Sequence, residues 1–249
     1  MTLDSIHIAV AVLPAIILMV FIYRADRLEK ESPRLLLGLM LSGIFAIPLA
    51  IALETVGEDF ILPALFTENT WTWVLVDNFV VIALVEEFSK YLFMKRQTWN
   101  HPEFNCHFDG VVYCVFASLV FALLENIGYV GLMGLEVGLL RAVTAVPGHA
   151  CFGAIMGIYY GRAKRFETEG KPGKAAALRR AAVIIPALWH GAYDTLATVG
   201  LDSMFFGLIV IMYIYAIGLV RKAARSDSYF VTYTAGAGDI SYYLFNDRR

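Results

Sequence analysis

The sequence predicts an all-α, polytopic membrane protein of about seven transmembrane helices, and three observations carry that reading. Of 249 residues, 59% are hydrophobic and only 17% are charged, with a mean hydropathy of +0.64. An average soluble domain is about 45–50% apolar and about 25% charged. A bilayer core about 30 Å thick needs about 20 mostly apolar residues per helix. Seven stretches qualify, some with polar residues inside them: 5–23, 35–53, 71–94, 110–130, 139–161, 181–199 and 203–220. The third observation is the placement of the 20 Lys and Arg residues.

The first stretch has no base ahead of it, between Met1 and His7, whereas Arg24, Arg27 and Lys30 follow it. It is therefore expected to be an uncleaved anchor with its N-terminus outside. Arg24 to Arg34 separate the first two stretches, Lys95 and Arg96 follow the third, and Arg162 to Arg180 separate the fifth and sixth. Arg221, Lys222, Arg225, Arg248 and Arg249 follow the seventh. The alternate loops, 54–70, 131–138 and 198–202, hold no base, and only Lys90 and Arg141 fall inside stretches. Because basic residues concentrate on the cytoplasmic side, the C-terminus is expected in the cytoplasm.

The 54–70 loop carries Glu54, Glu58, Asp59 and Glu68 and is expected to form a small outer cap. The 162–180 loop, with Gly170, Pro172 and Gly173, is expected to be a helix extension with a break. Residues 1–225 read as one transmembrane domain with a motif-bearing core over 71–199. Residues 226–249 read as a cytoplasmic tail rich in Tyr, Gly and Ser. No internal repeat is evident.

Two function classes fall at once. Lys and Arg total 20 against 22 Asp and Glu, a net charge of −2, which excludes a nucleic-acid binder working through bulk positive charge. The hydrophobic content excludes intrinsic disorder. Cys106, Cys114 and Cys151 form no CxxC pair and are odd in number, so they are expected as free thiols buried among helices.

Ionisable residues inside a span cost at least about 2.5–3.5 kcal/mol each at the bilayer centre and mark function unless paired. The third stretch holds Asp77, Glu86, Glu87 and Lys90, and the fourth holds Glu125 beside Asn126. The fifth holds Arg141 and His149, and the sixth holds His190 and Asp194. At about 1.5 Å per residue, Glu86, His190, His149 and Glu125 sit at heights compatible with one water-containing cavity. Each also has a structural explanation. Glu86 and Lys90 are four apart and can simply pair, although Glu87 points about 100° away and needs its own partner. Asp77 and Arg141 lie near outer ends, where pairing or snorkelling suffices. His149 shares a face with Ala145, Gly153, Gly157 and Gly161, which permits close helix contact. His190 and Asp194 share one face at i, i+4.

These residues also form four short motifs in successive stretches. They read Glu86-Glu87-Phe88-Ser89-Lys90, Phe121-Ala122-Leu123-Leu124-Glu125-Asn126, His149-Ala150-Cys151-Phe152-Gly153 and His190-Gly191-Ala192-Tyr193-Asp194. The pattern EExxK, FxxxEN, HxxxG and HxxxD resembles the PrsW family of intramembrane proteases. That family is distantly similar to CAAX prenyl endopeptidases and to abortive-infection membrane proteins. The resemblance covers residues 71–199. It implies proteolysis of a membrane-anchored protein in a bacterial or archaeal cell membrane, anti-sigma factors being the family's best-known substrates.

Peptide hydrolysis needs an activated water and a stabilised oxyanion. No Ser/His/Asp or Cys/His assembly stands out, so a carboxylate acting on water fits better than a covalent nucleophile. Two versions stay open. In one, His149 and His190 with Glu125 or Asp194 bind Zn²⁺, and Glu86 or Glu87 is the base. In the other no metal takes part, a glutamate activates water directly, and His149, His190 and Asn126 hold the oxyanion or donate the proton. No organic cofactor is expected. The rival classes are a proton- or solute-coupled carrier and a non-catalytic scaffold of the same fold. A carrier built on inverted repeats would show them in the sequence. A retinal receptor fails because 203–220 has no lysine.

Overall fold

The computed structural model describes residues 5–230, which form helices joined by short turns, with no strand element among them. Helix α1 spans Ser5–Ala25. Helix α2 spans Pro33–Leu65. It starts on two local signals: Pro33 in its first turn, and Ser32, whose Oγ accepts from the Leu35 amide at 3.3 Å. A π-turn over Gly57–Ile61 carries α2 onward, so most of the acidic cap expected at 54–70 is the end of this helix.

Helix α3 is one rod over 71–98. It comprises Trp71–Val76, a widened π segment Asp77–Leu84, and Val85–Thr98. Helices α4 (Asp109–Met133), α5 (Leu135–Val143) and α6 (Ala145–Thr168) follow. Helices α7 (Pro172–Thr198) and α8 (Asp202–Arg225) complete the bundle. The expected break in the 162–180 loop falls between α6 and α7, at Gly170 in the left-handed region (φ +71°), with Pro172 opening α7.

Five segments are long and apolar enough to cross a membrane: α1, α2, α4, α8 and the α5–α6 pair over Leu135–Thr168. Rods α3 and α7 are not among them. They carry Asp77, Glu86, Glu87 and Lys90, and Lys174, Arg179, Arg180, His190 and Asp194. In both, ionisable residues sit in the middle of the helix as well as towards its ends.

Burial separates inner from outer segments among the five. The most apolar window of α4 is 78% buried and that of α5–α6 is 61%, whereas those of α1, α2 and α8 are 28%, 33% and 28%. Helix α4 is therefore the axis, packed by α1, α2 and α6. Rod α3 lies against α2 and α7, and α8 closes the outside of α6 and α7. Ile17, Phe21, Phe45 and Ile214 on the outer helices are each more than half exposed, an apolar girdle suited to lipid rather than water.

The small-residue face of α6 does allow close contact. A β-carbon at Gly157 would lie 2.5 Å from the Gly110 carbonyl oxygen and from Val111 Cα, so α4 and α6 touch backbone to backbone there. Gly157→Ala is expected to cost about 1–3 kcal/mol through overpacking and to lower activity, because His149 lies on the same helix. Thermal unfolding in detergent micelles checks the first effect and substrate cleavage the second.

The three cysteines are free and buried. Of the tail, residues 231–249 lie outside the described residues. Residues 226–230 lie over the 99–108 loop, where the Phe108 amide donates to Asp227 Oδ1 at 2.9 Å and the Phe230 amide donates to the Asn105 carbonyl at 2.7 Å.

Candidate active site

The motif residues converge from four helices: α3 (Glu86, Glu87, Lys90), α4 (Glu125, Asn126), α6 (His149) and α7 (His190, Asp194). Lys90 is the hub. Its ammonium donates to Glu86 Oε2 at 2.9 Å and to Glu87 Oε1 at 2.7 Å, and lies 3.0 Å from His149 Nδ1. One lysine thus answers both glutamates, including Glu87, which needed a partner of its own. The Lys90 and Glu87 side chains are wholly buried, and Glu86 retains 8% exposure. Lys90 Nζ also lies 4.2 Å from the Phe121 ring centroid, a cation–π contact made by the first residue of the FxxxEN motif.

The tautomers follow from donor chemistry. An ammonium only donates, so His149 Nδ1 accepts and its Nε2–H points at Glu125 Oε2, 3.0 Å away. His190 Nδ1 donates to Glu87 Oε1 at 3.1 Å. Its Nε2 then faces Asp194 Oδ2 at 3.2 Å and Glu86 Oε2 at 3.9 Å. A lone pair turned toward two carboxylates calls for a cation, either a proton or a metal ion. Phe152 stacks on the His190 ring at 4.6 Å and holds its orientation.

The π segment of α3 helps bring the two helices together. A β-carbon at Gly191 would sit 2.5 Å from Phe79 Cδ1 and 2.9 Å from Phe79 Cα, so α7 crosses α3 closely beside His190. Widened turns of this kind recur at functional sites.

Three placements differ from expectation. Arg141, expected to snorkel or pair near an outer end, reaches inward: Nη2 lies 3.0 Å from Glu125 Oε1, and Nε donates to Asn126 Oδ1 at 3.3 Å. Its guanidinium also lies 3.7 Å from the Tyr129 ring centroid. Asn126 is sealed, with Nδ2 donating to the Ala11 carbonyl at 3.4 Å, so it braces Arg141 against α1 rather than facing the imidazoles. Glu54 belongs to α2 and interacts electrostatically with Glu86, Glu125 and Lys90. Asp77 stays in the π segment, outside the cluster.

Glu125 and Asp194, at 23% and 21% side-chain exposure, are the most accessible of the clustered acids and mark the mouth. Glu86, His149 and His190 each offer a donor atom within 4.8 Å of the other two. Of these three residues, Glu125 pairs with His149 and Asp194 with His190. Arg141→Met is expected to release Glu125 from its clamp and lower activity by about 10–100-fold, the usual effect of losing an outer partner of a reactive centre. Cleavage rates with the fold checked by circular dichroism measure this.

A family model described as PrsW family intramembrane metalloprotease matches residues 31–220. A relative named Protease PrsW from Oceanobacillus iheyensis is 31% identical over 219 residues, covering 87% of this chain and 95% of the relative. The Bacillus subtilis protein of that name is 30% identical over 221 residues, covering 89% and 95%. That of Geobacillus kaustophilus is 33% identical over 190 residues, covering 76% and 78%. No solved structure matches the chain. Apolar helices around a largely buried cluster of carboxylates, imidazoles and one lysine, together with these relatives, define an intramembrane protease. The carrier and scaffold readings are not favoured. The chain belongs to the PrsW family.

Proposed function

We propose that the chain hydrolyses a peptide bond of a membrane-anchored protein at the centre formed by Glu86, His149 and His190. The bundle crosses the bilayer seven times, N-terminus outside and C-terminus in the cytoplasm, over a domain of residues 1–225 with the tail 226–249 beyond it. The loop distribution of bases supports this topology. The observation that carries the chemistry is the triangle of donors from α3, α6 and α7, closed within 4.8 Å.

The residues fit a divalent ion. Two imidazoles and a carboxylate are a ligand set of zinc hydrolases. The contacting carboxylates Glu86, Glu87, Glu125 and Asp194 also outnumber the cations Lys90 and Arg141 by two charges. A Zn²⁺ ion bound there would be held by Glu86, His149 and His190 and would supply Lewis acidity toward water and the scissile carbonyl. The chain's own groups do the rest. Glu87 accepts the His190 Nδ1–H and so directs Nε2 into the centre. Lys90 neutralises the paired glutamates, and because His149 Nε2–H is committed to Glu125, its Nδ1 would have to exchange the Lys90 contact for the ion. Asp194, whose side chain is part-exposed while its buried Oδ2 lies 3.2 Å from His190 Nε2 beside the centre, accepts the proton of the attacking water. It returns that proton to the amide nitrogen as the C–N bond breaks. Arg141 and Glu125 hold the outer side of His149.

The test is cleavage of a single-span protein reconstituted with the full chain in proteoliposomes, the cut mapped by mass spectrometry. A cut within or beside the span, slowed by Asp194→Asn through kcat rather than KM, is the expected result. Absence of any cut in membrane-anchored proteins, with soluble peptides hydrolysed, would overturn the reading.

A further inference from the structure

A second cluster of ligand-type residues lies at the far end of the bundle. Asp109 is the first residue of α4, and Glu125 follows it by about 24 Å of helix, so this pocket is separate from the catalytic centre. Glu29, Cys106 and Asp109 each offer a donor atom within 4.8 Å of the other two. Asp26 and Asp227 surround them closely enough to interact with both Cys106 and Asp109. The residues come from three separate regions: the chain leaving α1, the loop entering α4 and the chain leaving α8.

The scaffold holds these groups but does not satisfy them. Asp109 Oδ2 accepts from the Asn105 and Cys106 amides at 3.0 and 2.6 Å. Its Oδ1 has no partner, although the residue is fully buried. Asp26 is 3% exposed, and its Oδ2 has no partner either; the same is true of Asp227 Oδ2. Glu29 is oriented by Asn105 Nδ2 at 2.6 Å and Tyr229 Oη at 3.3 Å. Lys30, the cation acting on Asp26, spends its ammonium on the backbone carbonyls of Tyr23 and Asp26. Four carboxylates and a buried thiol thus share a pocket in which carboxylate oxygens face no donor among the described residues. Buried carboxylates left in this way are costly.

We propose that this pocket is a second, structural divalent-metal site of the zinc class, with Cys106, Asp109 and Glu29 as ligands and Asp26 or Asp227 completing the shell. Thiolate with carboxylate oxygens suits a borderline ion such as Zn²⁺ better than Ca²⁺ or Mg²⁺. Binding releases the Cys106 thiol proton to solvent. The ion ties the ends of α1 and α8 to the loop before α4, and with them the segment 226–230 that leads into the tail.

Cobalt(II) titration of the purified full chain tests this, because a thiolate ligand gives cobalt a near-ultraviolet charge-transfer band that imidazole and carboxylate ligands do not. The catalytic centre contains no cysteine ligand, so the band reports this pocket alone. It is expected in the wild type and in His149→Ala, saturating at one equivalent per chain in His149→Ala, and lost in Cys106→Ser and Asp109→Asn. The double variant Cys114→Ser, Cys151→Ser leaves Cys106 as the only thiol and must keep the band, which decides the matter even if Cys106→Ser does not fold. No band in the wild type or in the double variant would overturn the proposal, as would a band that survives Cys106→Ser.

Discussion

Glu86→Gln is expected to lower cleavage of a single-span substrate by about 10²–10⁴-fold, the range associated with losing a group that acts on the reacting atoms, without unfolding the bundle. Glutamine keeps the shape and can still accept from Lys90, whose ammonium retains Glu87 at 2.7 Å and His149 at 3.0 Å. What is lost is the carboxylate whose oxygen lies within 4.8 Å of a nitrogen of each imidazole. Glu87→Gln provides the internal comparison. Glu87 touches Lys90 and His190 but is sealed from the mouth, so it positions rather than reacts. Its amide variant is expected to lose about 10–100-fold. Rates in proteoliposomes with helicity monitored in parallel give both numbers. Full activity in both variants, or a larger loss at Glu87 than at Glu86, would reject this division of roles.

Lys90→Met is expected to be the most destabilising single change in the site. It leaves two buried carboxylates and His149 Nδ1 facing one another without the ammonium that joins them. Breaking a buried ion pair by removing one partner costs about 3–5 kcal/mol. The sign of the rescue identifies the cause. Adding Glu87→Gln to Lys90→Met removes one orphaned charge and should recover part of the loss, so the two changes are non-additive. Denaturant unfolding in micelles measures all three variants. Simple additivity would mean that Lys90 stabilises the bundle through its packing on Phe121 and not through charge.

Much of this architecture could be read from the chain because the bilayer demands long apolar segments and the basic loops alternate between them. Helices α1, α4 and α8 follow their hydrophobic runs within a few residues. Rods α3 and α7 are the hard cases, since the same ionisable residues that carry the chemistry lower their hydropathy. Helical spacing alone found the Glu86–Lys90 and His190–Asp194 pairs. It could not reveal that Lys90 reaches His149, because residues 59 positions apart meet only through the packing of α3 on its neighbours. Arg141 does pair, with Glu125, but it and Glu54 lie deeper in the bundle than their sequence positions suggest, for one reason. Both lie near helix ends in the sequence, yet α5 folds back on α4 and α2 runs on past Val56, which turns them inward. The pocket at Asp109 left no sequence signal at all, since its members are short-range oddities scattered over three loops.

The measurement that bears most directly on the central claim is metal analysis of the purified full chain, joined to cleavage assays before and after chelation. Activity is expected to disappear with the ion that His149→Ala fails to hold, and to return when zinc is added back to the wild type. Full activity in chain stripped of metal would contradict that claim.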